Sequence, residues 1–281
     1  MKVKQLLREA ILELESVYSK NEAEAMVNIL AENCFGIGRQ QMIFSLNKEP
    51  NEIENARFNG AIARLRNREP IQYVTGETWF YHLRFKVDRS VLIPRPETEE
   101  LVEIAIKYAS GKTGDMLDVG SGSGCIPISF LKNVKGWSAT SIDLSTSALA
   151  LAEENARNNN SPVKFIEMDF LDQRWHDELG MFDMIISNPP YIPDSEKKML
   201  ADSVTLFEPH LALFVDDPLI FYKTIAAFGR KHLNEDGVIF LEVHQHFAQE
   251  TASVFEKANY SAEVIKDISG NERMVKANLN Q

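Results

Sequence analysis

The sequence predicts an α/β protein: a mostly parallel sheet covered by helices, ending in an antiparallel terminal pair, with a small helical bundle ahead of it. Three observations carry that expectation. From Asp115 onward, short apolar segments alternate with helical ones, the pattern of a parallel sheet. The last two segments, AEVIKDI and RMVKANL, read as a final antiparallel pair. Residues 1 to about 75 instead repeat apolar residues at spacings of three and four, with few β-branched runs.

Taken in order, Leu6, Leu7, Ala10, Ile11 and Leu14 share one face of a first helix. Ala23 to Leu30 continues the style, and Phe58, Ile62 and Leu65 repeat it. Asn47 to Pro50 marks a turn before another helix. The character changes near Tyr73, where YVTGETWFYHLRFKVD places aromatic and β-branched residues around Gly76 and predicts a strand pair. In VLIPRPETEELVEIAI, Pro94 and Pro96 stiffen a loop, and Glu97, Thr98 and Glu99 open a helix whose N-terminus favours acidic charge. Strands are then expected at MLDV, ATSID, VKFIEM, FDMIIS and GVIFLEV, with helices after the first two and over about residues 217–233. The expected organisation is a helical domain over 1–75, a β-hairpin linker over 76–93 and a sheet domain over 94–281.

Composition narrows the class. A chain of 281 residues, 44% hydrophobic and 25% charged, buries a full core without staples, which excludes disorder and fibrous structure. Two cysteines, Cys34 and Cys125, exclude a disulfide framework, and reduced thiols fit a cytoplasmic protein. The first fifteen residues are interrupted by charges, unlike a secretory signal, and no stretch approaches the ~18 apolar residues of a spanning helix, so no membrane association is expected. Among the histidines only His244 and His246 are paired, on alternating positions of a strand end or loop, and no metal is expected. The net charge is -11. Residues 1–80 hold 10 basic and 11 acidic side chains, leaving 20 and 30 for residues 81–281. The later part is a poor match for a phosphate backbone, so stable nucleic-acid binding is not expected, and a tolerable match for a basic protein partner.

Two motifs carry chemistry. The first is Asp118-Val-Gly120-Ser121-Gly122-Ser123-Gly124, after a strand and before a helix. Its glycines let backbone turn tightly and approach a ligand without a Cβ clash. The dinucleotide fingerprint would need glycine at 125 or 127, where Cys125 and Pro127 stand, so a nicotinamide cofactor is disfavoured. Asp143 ends the next strand, where a carboxylate can accept both ribose hydroxyls. The layout resembles the class I S-adenosylmethionine-dependent methyltransferases, with their Rossmann-like sheet. The resemblance implies a methionine moiety over Gly120–Gly124, the ribose on Asp143, and the adenine near Asp169 and Phe170. Asp169 reads equally well as a helix N-cap with Phe170 in the core.

The second motif is Asn188-Pro189-Pro190-Tyr191 at the end of the fourth strand. Two prolines fix φ and remove two donors, and Asn188 is pushed toward an extended conformation. The loop thus presents two acceptors, the Asn188 side-chain oxygen and the Pro189 carbonyl, with Tyr191 as a wall. It resembles the motif of methyltransferases acting on planar NH2 groups: adenine, cytosine or a glutamine amide. Such a nitrogen is a poor nucleophile because its lone pair is conjugated. Two acceptors gripping its N–H bonds fix the group and favour pyramidalisation.

Over nearly its whole length the chain further resembles the bacterial release-factor glutamine methyltransferases. The stretches that match are Glu69 to Gly76 (EPIQYVTG), Leu92 to Glu99 (LIPRPETE), Phe207-Glu208-Pro209 and Gly270-Asn271-Glu272-Arg273. The resemblance implies S-adenosyl-L-methionine as cofactor and peptide-chain release factors as partners. The implied product is a methylated side-chain amide on the glutamine of their Gly-Gly-Gln loop. It implies catalytic and substrate contacts from Asn188, Pro189, Pro190 and Tyr191, further substrate contacts from Arg95 and Pro96, and cofactor contacts from Gly120, Ser121, Gly122, Ser123, Gly124, Asp143, Phe170 and Asn188. It also implies a substrate-recognition role for the helical domain. The chain departs from the pattern at His82, where many relatives carry glycine, at His244, a commonly small position, and at Phe170, often tryptophan. Three other readings compete. A ribosomal-protein glutamine methyltransferase shares NPPY but typically differs after Pro94-Arg95. A nucleic-acid amine methyltransferase needs a basic groove and a flipped base. A non-catalytic cofactor-binding protein has no use for the NPPY acceptors.

Overall fold

The computed structural model describes residues 1–38 and 47–280; the part of the expected helical stretch at 39–46 lies outside them. The chain forms two compact units, Met1–Gly76 with Ala201–Phe207, and Glu77–Leu200 with Glu208–Gln281.

In the first unit the three-and-four spacing becomes one apolar cluster. Helix α1 (Val3–Leu14) buries Leu6, Leu7, Ala10 and Leu14, α2 (Lys20–Phe35) buries Ala23, Val27 and Leu30, and α3 (Glu52–Arg66) buries Phe58, Ile62 and Leu65. Two starts are capped reciprocally, Ser19 with Glu22 and Asn51 with Glu54, which satisfies N–H groups the helix itself leaves open. Gly36 ends α2 at φ +65°, a left-handed cap suited to glycine. Arg64 grips Glu69 with two hydrogen bonds of 2.9 Å and donates to the Tyr73 carbonyl, which ties α3 to the short helix α4 (Ile71–Thr75).

The second unit opens with a hairpin, β1 (Glu77–Phe80) and β2 (Leu83–Lys86). The expected strand pair is present, just beyond Gly76. That glycine caps α4 at φ +78°, and the hairpin turns at Tyr81 and His82, at φ +46° and +63°. Both turn positions favour glycine, the residue the resemblance leads one to expect at 82.

Helix α5 (Pro96–Ala109) leads into the main sheet: β3 (Gly114–Val119), β4 (Trp137–Asp143), β5 (Val163–Glu167), β6 (Phe182–Ser187), β9 (Leu233–Glu242), β10 (Tyr260–Lys266) and β11 (Glu272–Leu279). Its order is β10-β11-β9-β6-β3-β4-β5. The five strands from β9 to β5 pair in parallel, and β11 runs antiparallel to both β9 and β10. Alternate residues divide the core, as a pleated strand requires. Ile239 and Leu241 join a cluster with α9 (Ile220–His232) and α10 (Ala248–Lys257), whereas Val238 and Phe240 join one with α5 and α6 (Cys125–Asn133). Helix α7 (Thr146–Asn158) lies between β4 and β5 in the chain. Two features were not expected from the residues: the two-residue parallel pair β7 (Ile192–Pro193) and β8 (Phe214–Val215) here, and α8 (Asp202–Phe207), which belongs to the first unit.

The order of the strands places the site. From β3 the chain moves outward through β4 and β5, then returns to β6 on the other side of β3. Loops leaving β3 and β6 therefore diverge, and an open α/β sheet binds ligands at that crevice. Val119 is level with both Ile142 and Ser187, so the ends of β3, β4 and β6 lie side by side.

Candidate active site

The glycine loop leaves β3 held by the neighbouring strands. Gly120 and Ser121 donate backbone N–H groups to the Ile142 carbonyl at 2.9 Å, and the Ser187 hydroxyl donates to the Val119 carbonyl at 2.6 Å. Gly120 and Gly122 sit at φ +90° and +52°. A Cβ at Gly120 would meet nothing nearer than the Asn188 carbonyl at 4.0 Å, so the bare backbone faces open space. Gly124 serves another purpose. It starts α6 at φ +76°, and a Cβ there would press on Ile128 and Ala152 at 3.0 and 3.2 Å.

That space is a cavity of about 490 Å³ at the ends of the parallel strands. Gly120, Ser121, Gly122, Ser123, Asp143, Asp169, Phe170, Arg95, Asn188 and Pro190 line it. Gly124, Pro96, Pro189 and Tyr191 do not. Pro96 is exposed at the first turn of α5, and Pro189 is buried. The structure thus brings both motifs to one chamber and leaves four of the expected contact residues outside its wall.

Asp143 is held from two sides: one oxygen accepts from the Gly122 N–H at 2.8 Å and the other from the Ser145 N–H at 2.9 Å. Each carboxylate oxygen keeps a further lone pair. On the third loop, Phe170 is in the core as the second reading expects, but Asp169 is not a helix N-cap: the short helix that follows is capped by Asp172. Asp169 accepts from the Leu171 N–H at 2.9 Å as a turn residue, and the Phe170 ring packs against His176 and Phe228 at 4.8 and 5.4 Å while still lining the cavity. Among the described residues, the Ser121 and Ser123 hydroxyls, buried beside the glycine loop, have no hydrogen-bond partner, and neither has one oxygen of Asp118. A bare glycine wall, an anchored carboxylate and unpartnered buried hydroxyls fit a polar ligand such as S-adenosylmethionine. The Cys125 thiol also faces the cavity, but burial pushes it up to about 12, so it is no nucleophile.

At the second motif the Asn188 amide nitrogen donates to the Thr98 hydroxyl at 3.1 Å. The Thr98 hydroxyl donates to Glu242 at 2.6 Å, and the Tyr191 hydroxyl donates to the other oxygen of Glu242 at 3.2 Å. Neither Thr98 nor Glu242 was picked out for the site from the sequence. The available signal for Glu242 was a carboxylate closing the otherwise apolar run GVIFLEV. Arg95 pairs with the buried Glu208 at 2.5 Å, and Glu208 also accepts from the Ile93 N–H at 3.3 Å, so the Phe207-Glu208-Pro209 stretch pins the Ile93-Pro94-Arg95 loop.

His244 and His246 acquire a third neighbour, Glu196; one ligand atom of each lies within 4.8 Å of the others. The His244 Nδ1 accepts from the His246 backbone N–H at 3.3 Å, which leaves the proton of the neutral ring on Nε2, facing Glu196 at 3.3 Å. In that tautomer Nε2 has no lone pair to offer a cation.

Burial raises two carboxyls. Desolvation lifts Asp118 to about 8 against the lowering effect of its Ser141 bond, and lifts Glu242 to about 7 against its bonds from Thr98 and Tyr191. For both, the folded pKa lies above the unfolded one, so their contribution to stability is fully present below the ordinary carboxylate range and is lost as pH rises through the folded values. Asp118→Asn removes one such group. The ligand-free variant is expected to gain on the wild type as pH rises from about 5 to about 8, by at most about 1.4 kcal/mol per pH unit. Thermal melts across that range check this; parallel curves would mean that Asp118 is already ionised in the folded protein.

A Rossmann-like sheet of this order, with a glycine loop, a strand-end carboxylate and an NPPY loop around one cavity, defines a class I S-adenosylmethionine-dependent methyltransferase. The methyltransferase small domain model matches residues 98–210, and the PrmC N-terminal domain model matches residues 5–76. A release factor glutamine methyltransferase of Flavobacterium psychrophilum is 39% identical over 99% of this chain and 100% of its own length, and one of Bacteroides thetaiotaomicron is 36% identical over 94% and 96%. The chain belongs to the release factor glutamine methyltransferase family. A methyltransferase crystal structure from Pyrococcus furiosus, at 16% identity and a TM-score of 0.51 over 79% of this chain and 96% of that one, shares the fold. Among the described residues no helix is long and apolar enough to cross a membrane.

Proposed function

We propose that this protein methylates the side-chain amide of the Gly-Gly-Gln glutamine in peptide-chain release factors. The observation that carries the reading is the Asn188 loop, set at the switch point of the sheet in the same cavity as the glycine loop and Asp143. When bound, S-adenosylmethionine supplies a methyl group on a sulfonium sulfur and leaves as a neutral thioether. Gly120–Ser123 and Asp143 hold it. Asn188 lines the cavity and offers its side-chain carbonyl oxygen to one N–H bond of the substrate amide; the second acceptor is assigned to the backbone carbonyl of Pro189, whose ring lies outside the cavity wall. Gripping both bonds loosens the conjugation of the nitrogen lone pair, which makes that nitrogen a nucleophile. The surplus proton on the methylated amide is acidic enough for water to take, so no side chain is assigned as general base. The direct test is mass spectrometry of release factor incubated with enzyme and S-adenosylmethionine. One added methyl on the glutamine of the Gly-Gly-Gln loop is expected; methylation only elsewhere overturns the reading.

The helical unit is assigned to substrate recognition. It has an apolar cluster of its own and carries none of the cavity residues, and both clusters of the sheet unit are built entirely from residues beyond Gly76. A chain beginning at Glu77 is therefore expected to bind S-adenosylmethionine normally yet methylate intact release factor slowly. Calorimetric titration and initial rates separate the two properties. Full-rate methylation of release factor by the folded short chain removes the recognition role.

A further inference from the structure

Glu242 is 2% exposed, ends the apolar strand β9, and takes no part in the chemistry described above. Both its oxygens are occupied, by the Thr98 hydroxyl at 2.6 Å and the Tyr191 hydroxyl at 3.2 Å. Burial lifts Glu242 to about 7; above that pH it is ionised and only accepts, so these contacts then fix the direction of the hydrogen bonds that follow. Thr98 has one hydroxyl proton, and it is committed to Glu242. Toward Asn188, 3.1 Å away, Thr98 has only lone pairs to offer. The atom of Asn188 that faces Thr98 must therefore carry hydrogen. That is the amide nitrogen, and the carbonyl oxygen is left on the other side of the side chain.

The direction matters because the substrate group is itself an NH2. An asparagine flipped by half a turn would meet it donor to donor and grip nothing. We propose that Glu242, acting through Thr98, sets which end of the Asn188 amide faces the substrate, making Thr98 and Glu242 positioning residues for methyl transfer. Tyr191 joins the same carboxylate three residues beyond Asn188, so both ends of the Asn-Pro-Pro-Tyr loop are anchored on one group. A carboxylate suits this task better than an amide. Glutamine at 242 could turn its own NH2 to Thr98, free the hydroxyl proton to face Asn188, and stabilise the wrong flip.

The inference rests on the reading of Asn188 as the group that grips the amide, and the test keeps the two apart. Single-turnover transfer to release factor is measured for Thr98→Val, Thr98→Ser and Glu242→Gln, each alone and in an Asn188→Ala background, with S-adenosylmethionine and release-factor titrations beside it. Valine keeps the shape of Thr98 and removes its oxygen. The expected loss in transfer rate is roughly 10- to 100-fold, the range for a misplaced catalytic contact, with both affinities near wild type. Serine is expected to recover most of the rate. In the Asn188→Ala background Thr98→Val should subtract nothing more, because no amide is left to orient. Glu242→Gln should follow the same non-additive pattern, and it carries the test if the valine variant fails to fold. A wild-type rate for Thr98→Val, serine as slow as valine, or a full further loss without Asn188 overturns the positioning role. Wild-type turnover by Asn188→Ala alone overturns the reading beneath it.

Discussion

Asn188→Ala is expected to slow methyl transfer by about 10²–10³-fold, as the loss of one preorganised transition-state contact does, while S-adenosylmethionine affinity stays within a few-fold. The interaction strengthens as the substrate nitrogen pyramidalises, so its removal falls on the rate rather than on binding. Asn188→Asp is the finer probe. Aspartate keeps an acceptor toward the substrate but loses the N–H that donates to Thr98 at 3.1 Å. It also sets a carboxylate oxygen against the lone pairs of Thr98, whose proton goes to Glu242. Partial activity with near-normal cofactor affinity is expected, because the acceptor survives and its anchor does not. Single-turnover transfer, alongside cofactor titration of each variant, measures both quantities. An aspartate variant that first loses cofactor affinity would show that the amide serves the cofactor or the loop instead, and a wild-type rate for the alanine variant ends the proposed mechanism.

What could be read in the chain, and what could not, divides by the range of the interaction. The glycine loop and Asn188-Pro189-Pro190-Tyr191 are local: a few adjacent residues determine how the backbone turns, and the strands before them declare themselves by apolar runs. The sheet followed from alternation alone. Thr98 and Glu242 were invisible as a pair because 144 positions separate them, and the helix and strand that carry them meet only in the folded sheet. Arg95 and Glu208, 113 apart, are the same case: each sits in a family-like stretch, but nothing in either stretch names its partner. The turn of the hairpin carried no signal of its own, although a strong one lay nearby. Gly76 is a strong local signal for a left-handed backbone, and the structure uses it as a helix cap, while Tyr81 and His82 take up the positive φ angles of the turn itself. Gly124 gives a related lesson. Its place in the glycine loop suggested a ligand contact, and its surroundings show a helix start wedged against Ile128 and Ala152.

Asp143→Ala is expected to weaken S-adenosylmethionine binding by about 10- to 150-fold, or roughly 1.5–3 kcal/mol, the range for hydrogen bonds to a charged group. The sequence pointed to it as the acidic end of the second strand of the sheet, 19 residues beyond Gly124. The structure adds a second reason for a large effect. Asp143 accepts from the Gly122 N–H at 2.8 Å and from the Ser145 N–H at 2.9 Å, so the same carboxylate that offers lone pairs to a ribose also braces the glycine loop. Alanine removes both functions. Asparagine separates them poorly, because both backbone partners are donors and an amide nitrogen turned toward either one sets donor against donor. Asp143→Asn is therefore expected to lose nearly as much affinity as Asp143→Ala, whereas Asp143→Glu keeps the charge and displaces it by one methylene. Calorimetric titration of the three variants with S-adenosylmethionine measures the ordering. Unchanged affinity in the alanine variant removes Asp143 from the ribose role. A normal affinity for asparagine, with a loss for alanine, would show that bracing of the loop by two N–H bonds is dispensable and that a single remaining acceptor suffices.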